Sequence, residues 1–187
     1  MAPTTRAKIL DAAVRLTTSS GWAAVTMARL AEEVGVSRQT VYNEVGSKPA
    51  LAETMILEEL ARFLAVVDQA FDAEPDDVTR AIRRAVTDVL TYARANKLLH
   101  AVVSATHGAD TELLPLLTTN AGSLLEAAKA VILARVALYA PGLDTARLES
   151  AADMVVRVVL SHVMQPSAPP ARTGADIAWL VGRILRA

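Results

Sequence analysis

Between Thr26 and Lys48 the chain is punctuated in the way that short helices demand. Thr26 stands just before an apolar-periodic run, Met27, Leu30, Ala31 and Val34. A threonine hydroxyl in that place accepts from the unpaired N–H groups of a helix's first turn. Gly35-Val36 breaks the run, and glycine tolerates the positive φ that so tight a turn requires. Ser37 caps a second short helix through about Val45, Gly46 ends it, and Ser47 caps the next. Two short helices joined by a glycine-containing turn form a helix-turn-helix pattern. The small Ala31 suits a close approach of the first helix to the second, and Val41 faces inward with Leu30, Val34 and Val36. The outward face then carries Arg38, Gln39, Thr40, Tyr42 and Asn43. A hydrogen-bonding face beside a capping serine is what a helix needs to read base edges in a major groove. An ordinary helical hairpin with a solvated face fits the same pattern.

The rest of the chain reads as helix. A first helix is expected from Thr4 or Thr5 to Thr18, stopped by Gly21, with Ile9, Ala13 and Leu16 inward. A long helix over about 48–72 carries Leu51, Met55, Leu60, Phe63, Leu64, Val67 and Phe71 on one stripe. Glu74-Pro75-Asp76-Asp77 closes it and opens another, to about Asn96, with proline and acids where a helix N-terminus favours them. Shorter or interrupted helices follow to about Ala105 and over 113–117, with a loop at 106–110. Two long helices are expected over 120–139 and 144–164. A last one follows over 173–185, after a proline linker that includes Pro166, Pro169 and Pro170. The apolar face of 144–164 is too wide for one neighbour, which implies burial on more than one side.

Composition narrows the function. At 187 residues with 52% apolar side chains, the chain has ample length to bury a core. It has no cysteine, which excludes a disulfide framework, a thiolate nucleophile and a cysteine-bearing metal site. Mean hydropathy is high at +0.31, yet no uncharged apolar stretch reaches the roughly 18–20 residues of a spanning helix. The opening MAPTTRAKILD lacks the apolar core of a signal peptide, so a cytoplasmic location and no membrane partner are expected. The excess apolarity then belongs in a core or a subunit interface. Residues 1–50 hold six basic and four acidic side chains, a balance of +2, against −3 for the remainder. A mildly basic head suits a polyanion partner. HExxH, a glycine-rich phosphate loop, GxSxG and clustered metal-ligand residues are all absent, so neither an enzyme nor a cofactor is expected.

The stretches ILDAA at 9–13, Gly21 and VTMARLAEEVGVSRQTVYNEVGSKPAL at 25–51 resemble the TetR family of ligand-responsive transcriptional repressors. The likeness covers about the first quarter of the chain; beyond it only helix length, number and layout correspond. Two positions depart from the family pattern: Thr17 where an aromatic is usual, and Val45 where phenylalanine is usual. Both imply a slightly smaller packing of the head. Glu44 is unusual so near a phosphate backbone; it suits a cytosine amine, a contact with Lys48 or solvent, and the last is favoured.

The resemblance implies an all-α fold of about nine helices. A three-helix helix-turn-helix head over 1–47 would precede a ligand-binding and dimerisation domain over 48–187. It makes Thr26 and Ser37 helix caps that meet phosphates, and Arg38, Gln39 and Thr40 the group at or near base edges. Tyr42 and Asn43 become backbone or thymine-methyl contacts, and Lys48 a phosphate clamp. It implies a homodimer on a palindromic double-stranded operator, released by a small apolar effector. An effector chamber would be walled by Phe63, Val67, Phe71, Val89, Tyr92, Val102, Leu117 and Leu124, with His100, His107 and Asn120 as polar groups able to orient a ligand. The dimer face would use Leu148, Val155, Val159, Val163, Ile177, Trp179, Leu180 and Ile184. Plain core packing is the alternative for each apolar residue. For the whole chain the alternatives are a helical dimer that binds a protein partner and, further off, a helical enzyme.

Overall fold

The computed structural model describes residues 3–105, 121–139, 142 and 144–185. The described residues form nine α-helices and no strand: α1 Thr5–Ser20, α2 Met27–Val34, α3 Arg38–Val45, α4 Lys48–Asp72, α5 Val78–Ala95, α6 Lys97–Ala105, α7 Ala121–Ala137, α8 Thr145–Met164 and α9 Pro170–Ile184. A 3-10 turn, Trp22–Ala24, lies between α1 and α2. The loop expected at 106–110 and the interrupted helix at 113–117 lie outside the described residues. Among the described residues no helix is long and apolar enough to cross a membrane.

The chain divides into two compact units, Met1–Glu59 with Asn96–Ala121, and Leu60–Ala95 with Gly122–Ala187. The head expected over 1–47 lies in the first unit, which also takes in the start of α4 and all of α6. Its core joins Ile9, Leu10, Ala13 and Leu16 of α1 to Trp22, Val25, Leu30, Ala31, Val41, Val45, Leu51, Met55, Leu98 and Val102. Ile9, Val25, Leu30, Val41 and Leu51 are fully buried, each stabilising the unit by about 1.5–3 kcal/mol relative to exposure. Thr17 is buried as well and satisfies its hydroxyl by donating to the Ala13 carbonyl at 2.7 Å.

The turn between α2 and α3 takes the shape that its glycine allows. Gly35 sits at φ 74°, ψ 38°, and the N–H groups of Gly35 and Val36 both donate to the Ala31 carbonyl at 3.0 Å. That left-handed residue closes the C-terminus of α2 and redirects the chain into α3.

The second unit centres on Val67, Phe71, Ile82, Val86, Val89, Leu90, Val136, Ile177 and Val181. Asp77 starts α5, its carboxylate accepting from the Thr79 and Arg80 amides at 2.9 and 3.0 Å. Asp144 caps α8 in the same way, accepting from the Arg147 amide at 2.9 Å. α9 begins at Pro170, three residues earlier than the periodicity suggests. A proline at the first helical position lacks only an N–H that would be unpaired there, and its φ already suits a helix. The face of α9 that meets α5 is built largely from small residues, Thr173, Gly174, Ala178 and Gly182, with Ile177 and Val181. Arg135 of α7 reaches two carboxylates one turn apart on α4, Asp68 and Asp72, each at 2.6 Å. Its guanidinium is held further above its ordinary range by those hydrogen bonds.

Candidate nucleic-acid interface

The caps of the short helices leave usable hydroxyl protons. Thr26 Oγ1 accepts from the Arg29 amide at 3.1 Å, so its own O–H stays available to an oxygen outside the chain. Ser37 Oγ accepts from the Thr40 amide at 3.0 Å and lies 2.8 Å from Thr40 Oγ1. Their mutual bond uses one of the two hydroxyl protons, and the other is left for a phosphate oxygen. Helix N-termini also present backbone N–H groups and a partial positive charge, both attractive to phosphate.

α3 divides cleanly by helical spacing. Val41 and Val45 face the core, while Arg38, Gln39, Tyr42 and Asn43 are exposed and Thr40 is half-buried. Residues 38, 39, 42 and 43 stand one turn apart in pairs, so they share one face. Gln39 Nε2 donates to Asn43 Oδ1 at 2.9 Å, which pre-orients both amides. Tyr42 is 46% exposed, a large ring left outside the core. Among the described residues Arg38 has no ion-pair partner. The Glu44 side chain is half-buried and carries no ion pair among the described residues. Lys48 opens α4, with its ammonium 5.1 Å from the centroid of the Trp22 ring. The Ser47 hydroxyl accepts from the Ala50 amide at 3.3 Å, which caps α4.

One contributor escapes sequence reasoning. Arg6 on the first turn of α1 donates to the backbone carbonyl of Glu44 on the last turn of α3. The pair is 38 residues apart in sequence and involves a main-chain atom, so no motif announces it. Arg15, also on α1, holds Glu33 of α2 at 2.8 Å. α1 thus contacts both helices of the motif through arginine.

The residues considered for an effector chamber fall in different places. Val67, Phe71 and Val89 belong to the second unit's core, and Phe63 packs against it. Phe63 meets Tyr92 edge-on, with ring centroids 4.8 Å apart. Leu124 is half-buried on α7. Val102 belongs to the first unit's core. His100 is exposed, and His107, Leu117 and Asn120 lie outside the described residues.

Of the residues considered for a dimer face, Ile177 is in the second unit's core, and Leu148, Val155, Val159 and Val163 pack against it. Ile184 is half-buried, whereas Trp179 and Leu180 are exposed. Exposed apolar side chains that the periodicity did not single out for that face are Met154, Val158, Leu160 and Met164 of α8.

A buried three-helix core that turns a short, capped, polar-faced helix to solvent defines a helix-turn-helix DNA-binding regulator. The chain belongs to the TetR family: residues 9–55 match the model for bacterial regulatory proteins of the tetR family, and residues 77–183 match that for the bacterial tetracyclin repressor C-terminal domain. It is 28% identical over 180 residues to the HTH-type transcriptional regulator AlkX of Mycobacterium tuberculosis, covering 94% of this chain and 82% of that protein. The crystal structure of the TetR family repressor AlkX from Dietzia sp. superposes with a TM-score of 0.74 at 25% identity, over 98% of this chain and 96% of that one. The fatty acid degradation regulator FadR from Bacillus halodurans shares the fold alone, with a TM-score of 0.64 at 17% identity over 97% and 96% of the two chains.

Proposed function

We propose that the protein is a repressor that binds a palindromic operator as a homodimer and is released by a small apolar effector. The observation that carries the reading is the outward face of α3, where Arg38, Gln39, Tyr42 and Asn43 stand exposed on a helix anchored by buried Val41 and Val45. Arginine suits the N7 and O6 acceptors of guanine, the Gln39 and Asn43 amides suit adenine, and the Tyr42 ring suits backbone or a thymine methyl. Thr26, Ser37 and Lys48 supply the phosphate contacts that fix register. Because few cations are involved, affinity falls with salt according to a small number of phosphates per subunit.

A homodimer is supported by the apolar side chains exposed on α8 and α9, with Met154 64% and Trp179 63% exposed. Apolar side chains left exposed in a folded subunit mark association where they form a patch. Two-fold pairing would present two α3 helices to half-sites a helical turn, or a multiple of it, apart. An apolar effector would have to open the apolar core of the second unit, in which Val67, Phe71 and Val89 are buried and against which Phe63 packs. The likeness to a Dietzia repressor implicated in biodegradation of n-alkanes points to the same chemistry. Release then requires that the effector favour the conformation that does not bind DNA.

The test is a gel shift on the DNA flanking the protein's own gene, at low and moderate salt. The wild type is expected to shift it, and Tyr42→Ala combined with Lys48→Ala to weaken the shift. No shift, or one unchanged in that variant, overturns the reading. Sedimentation is expected to give a two-chain particle that Met154→Glu with Trp179→Glu dissociates; a monomeric wild type removes the dimer.

A further inference from the structure

We propose that Asn43 is a positioning residue for base recognition: its side-chain oxygen, turned to Gln39, fixes the way round of the Gln39 amide, so that the pair reads one adenine and not two. The proposal rests on the reading of α3 as the helix that enters the major groove.

Gln39 and Asn43 are both exposed and stand one helical turn apart on α3. Val41 and Val45 bury the opposite face of that helix, so the pair rides on a fixed frame. Gln39 Nε2 donates to Asn43 Oδ1 at 2.9 Å. A side-chain amide has an acceptor end and a donor end, and adenine engages both at once. Its N6 amine donates to the oxygen, and its N7 accepts from the nitrogen. Gln39 keeps what that edge needs, because the bond to Asn43 uses neither Oε1 nor the second Nε2 proton. Asn43 does not keep it. Its oxygen faces Gln39, and its Nδ2 end can only donate. Acceptors for a lone donor occur on guanine, adenine, thymine and every phosphate, so that end specifies little. A solitary glutamine orders its side-chain torsions and the sense of its amide only on meeting a base, at a cost to affinity. Asn43 settles both beforehand. The hydrogen bond thus divides between the two amides roles that their chemistry alone makes equal.

The experiment uses the full-length protein and a duplex library with randomised positions. The wild type selects its site, and competition then measures base preference at each position. One position in each half-site is expected to favour adenine by about 5- to 150-fold, and Gln39→Ala to lose that preference. Replacing this adenine by 7-deazaadenine, which lacks the N7 acceptor, is expected to weaken binding by the wild type and not by Gln39→Ala. Asn43→Ala is expected to reduce preference at the same position about two- to tenfold, with no further loss in the Gln39→Ala background. Alanine is the better helix former, so such a loss is not an unfolding of α3. Asn43→Asp keeps an acceptor for Gln39 Nε2 and is expected to retain the preference, while its charge weakens binding to every sequence alike. An unchanged preference in Asn43→Ala, or the loss of an adenine preference at a second position, overturns the proposal. If Gln39→Ala leaves every base preference as in the wild type, the reading of α3 through Gln39 fails, and the proposal with it.

Discussion

Gly174 on α9 lies so close to Thr87 on α5 that a Cβ on it would fall 2.2 Å from Thr87 Oγ1 and 2.9 Å from the Arg83 carbonyl oxygen. The threonine side chain can turn away, forfeiting the 2.8 Å bond it donates to that carbonyl, but the backbone cannot. Gly174→Ala gains about 1 kcal/mol of helix propensity and meets an overpacking cost of about 1–3 kcal/mol. With a main-chain atom in the way, the cost is expected to win. The melting temperature should drop by a few degrees, and Gly174→Val should drop it further. Thr87→Ala in the Gly174→Ala background should recover part of the loss. A higher melting temperature for Gly174→Ala would show that the two helices separate freely.

That contact also shows where sequence reading stops. Thr26, Gly35, Ser37 and Gly46 announced the motif because caps and turns require particular residue types, and Val41 announced its buried face by spacing. Trp179, considered for a dimer face, is exposed. The buried face of α9 was only partly legible, since Gly174, Ala178 and Gly182 carry little apolar signal, while the strongly apolar Leu180 beside them is exposed. α8 misled for the opposite reason. With apolar residues almost all round, pattern alone does not separate Val155, Val159 and Val163, which pack against the chain's own core, from exposed Met154 and Met164. The Arg6–Glu44 and Trp22–Lys48 contacts span long sequence separations, which no local pattern records.

Stability should carry an acid limb traceable to Asp153. The Arg157 guanidinium, donating to it at 2.7 Å, holds its carboxyl below the usual carboxylate range. Partial burial opposes this, and Lys129 at 3.4 Å adds to it. A carboxyl with a lowered folded-state pKa contributes stability above its unfolded value and loses it as pH falls through the folded one. The urea midpoint should therefore decline below about pH 4, and Asp153→Asn should start lower at neutral pH and decline less. Parallel pH profiles would contradict the assignment.

Arg6 should matter to DNA binding without touching a base. Its bond to the Glu44 carbonyl satisfies a last-turn acceptor of α3 and places positive charge at the negative end of that helix. Arg6→Ala is expected to cost about 0.3–1 kcal/mol of stability and to weaken DNA binding measured by anisotropy. Arg6→Lys should restore part of both. Unchanged binding in Arg6→Ala would mean that the hydrophobic core alone places α3.

The most direct test asks whether the exposed face of α3 enters a major groove. Guanine N7 lies in that groove and is methylated by dimethyl sulfate unless a protein covers it. Footprinting of the DNA flanking the protein's own gene is expected to show guanine N7 protection in two symmetric clusters, spaced by whole helical turns. Arg38→Ala should lose protection at one guanine in each cluster while still binding. Binding that leaves every N7 open, or a footprint that Arg38→Ala does not alter, contradicts the account.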